Sequence, residues 1–113
     1  MSMVDKQNRF TGMVAKLIIF AQANGYQLTF GEAYRTKEQA ALNEKAGKGI
    51  SKSLHTERLA IDFNLFKDGK YLTATSDYKE LGEYWESLGG SWGGRFKTRA
   101  DGNHFSLEHN GVR

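Results

Sequence analysis

The residues best suited to chemistry fall in two short segments. In Ser53-Leu-His-Thr-Glu-Arg-Leu-Ala-Ile-Asp62, His55 and Asp62 have six residues between them and run into the apolar alternation Leu59, Ile61, Phe63, Leu65. That reads as a loop feeding a strand. Asp101-Gly-Asn-His104 leads into Phe105-Ser-Leu107 in the same way. The chain has no cysteine, so a transition metal must be held by imidazole and carboxylate. A catalytic zinc takes three protein ligands and keeps a fourth position for water, whose pKa it brings down to about 7. His55, Asp62 and His104 supply two imidazoles and a carboxylate. Asp101, three residues before His104, can bring its carboxylate back towards the same metal face and serve as base without being a ligand.

Each residue also has a plainer reading. Two histidines in a small domain can be surface or hydrogen-bonded core groups. Asp62 is harder to dismiss, because Asp is poor inside a strand and costly on a buried face unless paired or metal-bound. Its alternative is a buried ion pair with Arg58 or Arg35. Asp101 alone is a good turn residue in Asp-Gly-Asn. His109 lies in a polar C-terminal stretch and reads as surface, while Trp85 and Trp92 read as core packing or cleft lining in preference to sugar stacking.

Several elements must position these groups. Phe10, Met13, Val14, Leu17, Ile18 and Ala21 recur at helical spacing, which predicts an amphipathic helix over residues 5–24 stopped by Asn24-Gly25. Residues 26–34 alternate like a strand, and Thr36-Lys-Glu-Gln39 has the form of a capping box opening a helix that ends near Gly47. Residues 47–54 read as a polar loop leading to His55. A strand over 59–66 follows, and Asp68-Gly69 predicts a hairpin returning through Tyr71 and Leu72. Ser76 is the expected cap of a further helix with Leu81, Tyr84, Trp85 and Leu88 on one side, ended by Gly89-Gly90. Residues 104–108 make the last strand.

Composition bounds the rest. With 113 residues, 39% hydrophobic and 12% aromatic, the chain reads as one folded domain, residues 1–113. A net charge of +3 is mild, and its basic residues are dispersed, which argues against nucleic acid while suiting approach to an anionic polymer such as cell wall. Residues 13–21 are too short for a membrane span and carry Lys16. The expectation is a soluble protein made in the cytoplasm without a membrane anchor, and nothing in the sequence demands more than a monomer.

Taken together, Ser53-x-His55, Ala60-x-Asp62 and Asp101-x-x-His104-Phe105 resemble the signature of the zinc peptidases that cut peptidoglycan stem peptides. That family contains D-alanyl-D-alanine carboxypeptidases and the L-alanyl-D-glutamate endopeptidases found as phage endolysins. Ala33-Tyr34-Arg35-Thr36 with Gln39 resembles its Gly-Tyr-Arg-Ser/Thr segment, and Trp92-Gly93-Gly94 its Trp-Gly-Gly stretch, so the likeness covers residues 28–107. It implies His55, Asp62 and His104 as zinc ligands and Asp101 as the base that later protonates the leaving amine. Arg35 would bind a stem-peptide carboxylate or the scissile carbonyl, its alternative being a salt bridge with Glu38 or Glu32. Ser53 would orient the ligand loop or bind substrate, its alternative being an ordinary loop hydroxyl. Arg58 and Ala33 stand where the family usually has Gly, and a Gly needed for positive φ at 58 would leave Arg58 strained.

The expected architecture is α+β, a small antiparallel sheet with helices packed mainly on one face and a single zinc in a cleft. The expected activity is hydrolysis of a stem-peptide bond by a phage lysin made in the host cytoplasm and released through a holin pore to the wall. A D,D-carboxypeptidase and a non-catalytic zinc or basic binding module are the alternatives.

Overall fold

A computed structural model describes residues 2–48 and 52–113. In chain order it contains helix α1 (Met3–Ala23), strand β1 (Tyr26–Phe30), helix α2 (Lys37–Lys45), a 3-10 turn (Leu54–Glu57) and strands β2 (Ala60–Lys67) and β3 (Lys70–Leu72). A second 3-10 turn (Thr75–Tyr78), helix α3 (Lys79–Ser87), strand β4 (Ser91–Trp92), a third 3-10 turn (Gly93–Arg95) and strand β5 (His104–Ser106) complete it. All pairings between the strands are antiparallel, in the order β1-β2-β5-β4, with β3 on β2 beyond the end of β5. This is the α+β class expected from the sequence.

Alternation along β2 decides which side chains meet what. Ile61, Phe63 and Leu65 are buried, whereas Asp62, Asn64 and Phe66 point to the other, half-open face. The buried face meets helices. Phe105 of β5 lies against Trp85 of α3, with ring centroids 5.9 Å apart, and Trp85 meets Phe10 of α1 edge-on at 5.7 Å. Phe20 and Tyr84 stack at 4.0 Å and join α1 to α3 further along. Burying each such large apolar side chain contributes roughly 1.5–3 kcal/mol, so this helix-covered face supplies most of the stability.

The helices follow local chemistry. Ser2 accepts a hydrogen bond from the Asp5 N–H at 3.1 Å and starts α1 two residues before the predicted position, while Phe10, Met13, Leu17 and Ala21 form its buried stripe. At α2 only half the expected capping box forms. Thr36 accepts from the Gln39 N–H at 3.0 Å, but the Gln39 amide donates to Asn43 one turn on. Ser76 is not a cap. It lies inside the second 3-10 turn, whose start is tied by the Ala74 N–H donating to Asp77 at 3.1 Å, and α3 begins only at Lys79.

Two strands are shorter than predicted. Regular pairing of β1 ends at Phe30, and β5 ends at Ser106. Beyond β1, Gly31 donates to the Asp62 carbonyl and the Asp62 N–H donates to the Glu32 carbonyl, both at 2.8 Å. Two residues thus oppose one, the arrangement of a β-bulge, a device that bends the strand and re-aims a side chain. Of the predicted loop over 47–54, residues 49–51 lie outside the described residues; it closes at Ser53, since Leu54 and His55 are already buried in the 3-10 turn. Asp68 and Gly69 take φ values of 52° and 76°, as a type I′ hairpin requires. Among the described residues no helix is long and apolar enough to cross a membrane.

Arg58 adopts φ 57° and ψ 35°, the left-handed conformation that favours Gly, and its guanidinium lies 4.0 Å from the centre of the Tyr34 ring. Left-handed backbone costs an ordinary residue roughly 1–2 kcal/mol, and both Arg58→Gly and Arg58→Ala lose the Tyr34 stacking. In urea denaturation Arg58→Gly is therefore expected to be the more stable of the two by about 1 kcal/mol. Gly82 of α3 lies under Trp92, where a Cβ would come within 2.1 Å of the indole. Alanine is worth about 1 kcal/mol more than glycine inside a helix, but overpacking of this size costs more. Gly82→Ala should accordingly lower the urea midpoint, and a raised midpoint would contradict this packing.

Candidate active site

His55 and Asp62 come together because the chain reverses between them. Ser53 Oγ accepts the His55 N–H at 3.2 Å and opens the first 3-10 turn, left-handed Arg58 closes it, and Leu59 then donates to the Leu54 carbonyl at 3.1 Å before β2 begins. The reversal brings His55 back over the start of the strand. His104 arrives by sheet pairing, directly opposite Asp62 in the β2–β5 register and so on the same face.

The three side chains converge on one atom. His55 Nε2 lies 3.4 Å and His104 Nδ1 3.5 Å from the same Asp62 Oδ1. One ligand atom from each residue can be chosen so that all three lie within 4.8 Å of one another. Neither contact to Asp62 is a hydrogen bond, and Asp62 Oδ1 is buried without a hydrogen-bond partner. Ligand atoms about 2.1 Å from a common ion, at corners of a tetrahedron, are about 3.4 Å apart, so these spacings and this donor set fit a zinc-like divalent cation. Burial pushes the Asp62 pKa up, but the attraction of His104 and His55 outweighs it and holds the carboxyl at about 2. Asp62 is therefore anionic throughout the neutral range, as a ligand must be. Its alternative partners are engaged elsewhere: Arg58 stacks on Tyr34, and Arg35 pairs with Glu32.

Asp101 is outside this three-residue cluster but beside it. It occupies a turn in which the His104 N–H donates to the Asp101 carbonyl at 3.1 Å, and its own N–H donates to the Gly93 carbonyl at 2.9 Å. Gly93 is needed there, since a Cβ would lie 2.1 Å from the Asp101 carbonyl oxygen and 2.8 Å from His104 Cβ. The residue as a whole is exposed. Partial burial of its carboxyl, followed by the Asp62 charge, pushes its pKa up, with His104 and His55 pulling the other way. A carboxylate raised in this way is better matched to accepting a proton near neutral pH.

The remaining predicted site residues lie around the cluster. Ser53 is buried and caps the turn that carries His55, while Thr56 donates to its carbonyl at 2.6 Å. The Arg35 N–H donates to the His55 carbonyl at 3.1 Å, and its guanidinium is mostly enclosed, with Nε buried and without a hydrogen-bond partner. Glu32 was anticipated only as an alternative partner of Arg35, yet it touches more than that: Oε1 bonds the Arg35 guanidinium and lies 3.8 Å from His55 Nδ1. The bulge that turns Glu32 towards His55 has no local sequence signal except Gly31. Trp85 and Trp92 are core residues, their indole N–H groups donating to the carbonyls of Ser106 and Gly102. His109 is outside the cluster, with Nδ1 3.2 Å from Lys6 Nζ.

Comparison with known proteins agrees with this geometry. Residues 46–107 match the peptidase family described as D-alanyl-D-alanine carboxypeptidase. The chain is 31% identical over 101 residues to an L-alanyl-D-glutamate peptidase of Listeria phage A118; the aligned region is 85% of this chain but only 36% of that relative's length. Its fold is similar to that of the Serratia marcescens L-Ala D-Glu endopeptidase ChiX, with a TM-score of 0.73 at 20% identity over 88% of this chain and 77% of that one. It is also similar to a zinc-bound vancomycin-resistance D,D-pentapeptidase, VanY, with a TM-score of 0.58 at 20% identity over 88% and 70%. With a family match over more than half its length and 31% identity to a peptidase over 85% of the chain, the chain belongs to the D-alanyl-D-alanine carboxypeptidase family of peptidases.

Proposed function

We propose that residues 1–113 act as a single catalytic domain, a zinc peptidase that hydrolyses a peptide bond in the stem of bacterial peptidoglycan. The observation that carries this reading is the convergence of His55 Nε2 and His104 Nδ1 on one unpartnered oxygen of Asp62 in a chain of this peptidase family. The ion held there would supply Lewis acidity, polarising the scissile carbonyl and acidifying water. Asp101 takes the proton of the attacking water and returns it to the leaving amine, a shuttle for which its raised pKa is suited. Arg35 binds a carboxylate or the developing oxyanion of the substrate, with its enclosed guanidinium held by Glu32 and its backbone tied to the His55 carbonyl. Ser53 orients the ligand turn from beneath.

For the bond cleaved we favour that between L-alanine and D-glutamate, and for the role a phage lysin delivered to the wall through a holin pore. The relative in Listeria phage A118 supports the bond and the phage source, and the similarity to ChiX supports the bond. The protein then works as a monomer and without nucleic acid. Removal of a terminal D-alanine by the same centre is the second reading, favoured by the family's description.

Mass spectrometry of purified sacculi after digestion separates the two, because release of L-alanine-ended fragments and release of free D-alanine give different masses. No cleavage of either kind, with zinc bound, would leave a non-catalytic module. Asp101→Asn is expected to retain zinc and lose about 10²–10⁴-fold in turnover, while His104→Ala loses zinc and turnover together. Lysis by Asp101→Asn at the wild-type rate would refute its assignment as the base. Chelation should abolish activity and added zinc restore it; at a free concentration of 100 times Kd, zinc should also stabilise the fold by about 2.7 kcal/mol in thermal denaturation.

A further inference from the structure

We infer that Glu32 is a positioning residue for the metal centre, an outer carboxylate that accepts the His55 Nδ1–H and fixes which ring nitrogen faces the ion. The inference rests on the ligand set proposed above. With His55 Nε2 as the ligand atom its lone pair goes to the ion, so the ring proton must be on Nδ1, which is buried and has no hydrogen-bond partner. A buried donor left in this condition is costly, because it has given up water for no partner. The carboxylate that reaches towards it is Glu32, with Oε1 at 3.8 Å. That is too long for a hydrogen bond, and the inference requires the 36% exposed Glu32 side chain to rotate towards His55 by under an ångström when the ion is bound.

The backbone is arranged to bring Glu32 there. Through the bulge at Gly31, Glu32 and not its neighbour takes the Asp62 N–H, so one residue touches two ligand residues, Asp62 through its carbonyl and His55 through its carboxylate. The same Oε1 bonds the Arg35 guanidinium, which balances its charge and restrains the side chain. A carboxylate on the far nitrogen of a ligating imidazole fixes its tautomer and raises its basicity, and losing such a partner typically weakens metal binding by about 10–100-fold.

The test is zinc affinity, measured by competition with a chromogenic chelator, together with the visible spectrum of the cobalt-substituted protein. Glu32→Ala is expected to bind zinc about 10–100-fold more weakly than wild type and to show an altered cobalt spectrum. Glu32→Gln keeps the shape and an acceptor oxygen but not the charge, and should fall between the two. It also keeps the question answerable if Glu32→Ala does not fold. Glu38→Ala, on exposed α2, should bind zinc as wild type does. Wild-type affinity and an unchanged cobalt spectrum in a folded Glu32 variant would overturn the inference while leaving the peptidase reading intact. Wild-type protein that binds no zinc would overturn both, and one that binds zinc without cutting sacculi would remove only the peptidase reading.

Discussion

A carboxylate placed on a sheet face between two imidazoles is the constraint on which the site depends. Asp62 Oδ1 is buried and without a hydrogen bond, and it is anionic at neutral pH because His55 and His104 stabilise its charge against burial. Such a group is expensive to leave unpaired in a folded protein. A divalent cation at the point where the three side chains meet satisfies it, and the same cation suits nitrogens that already stand 3.4 and 3.5 Å from that oxygen.

The rest of the structure can be understood as holding those three side chains in register. The β2–β5 ladder places His104 opposite Asp62, and neither can slip by one residue without exposing Ile61 and Phe105 to solvent. The apolar face beneath is therefore what keeps the polar face aligned. The position of His55 depends on the turn that carries it, capped by Ser53 and ended by the left-handed Arg58. Stacking of the Arg58 guanidinium on Tyr34 ties that turn to the segment carrying Arg35 and Glu32 and offsets part of the backbone cost. Asp101 is secured separately, by a turn packed so closely on Gly93 that no side chain fits between.

Much of the fold was legible because strong periodicity signals burial. The stripe Phe10, Met13, Leu17, Ala21 is the buried side of α1, and the alternation Ile61, Phe63, Leu65 is the core face of β2. Asp68-Gly69 specified its hairpin because few dipeptides tolerate two positive φ values. Element ends were less legible, since they depend on competition among nearby polar groups. At Gln39 the amide prefers Asn43 to the backbone behind it, and at Ala74 the carboxylate of Asp77 takes the place that Ser76 was expected to fill.

For the site itself, the sequence determined the identity of the donors. With no cysteine and three histidines, His55, Asp62, His104 and Asp101 were the groups whose types and spacing could bind a metal and move a proton, and the strand after each segment showed roughly where they would stand. Only the tertiary structure decided that His55 Nε2 and His104 Nδ1 face one oxygen, that Arg35 is bound to Glu32, and that Glu32 reaches towards His55. The reason is physical: donor type is a local property of a side chain, whereas the atom it faces depends on strand register, a bulge and a left-handed turn, and those are set by contacts between residues far apart in the chain.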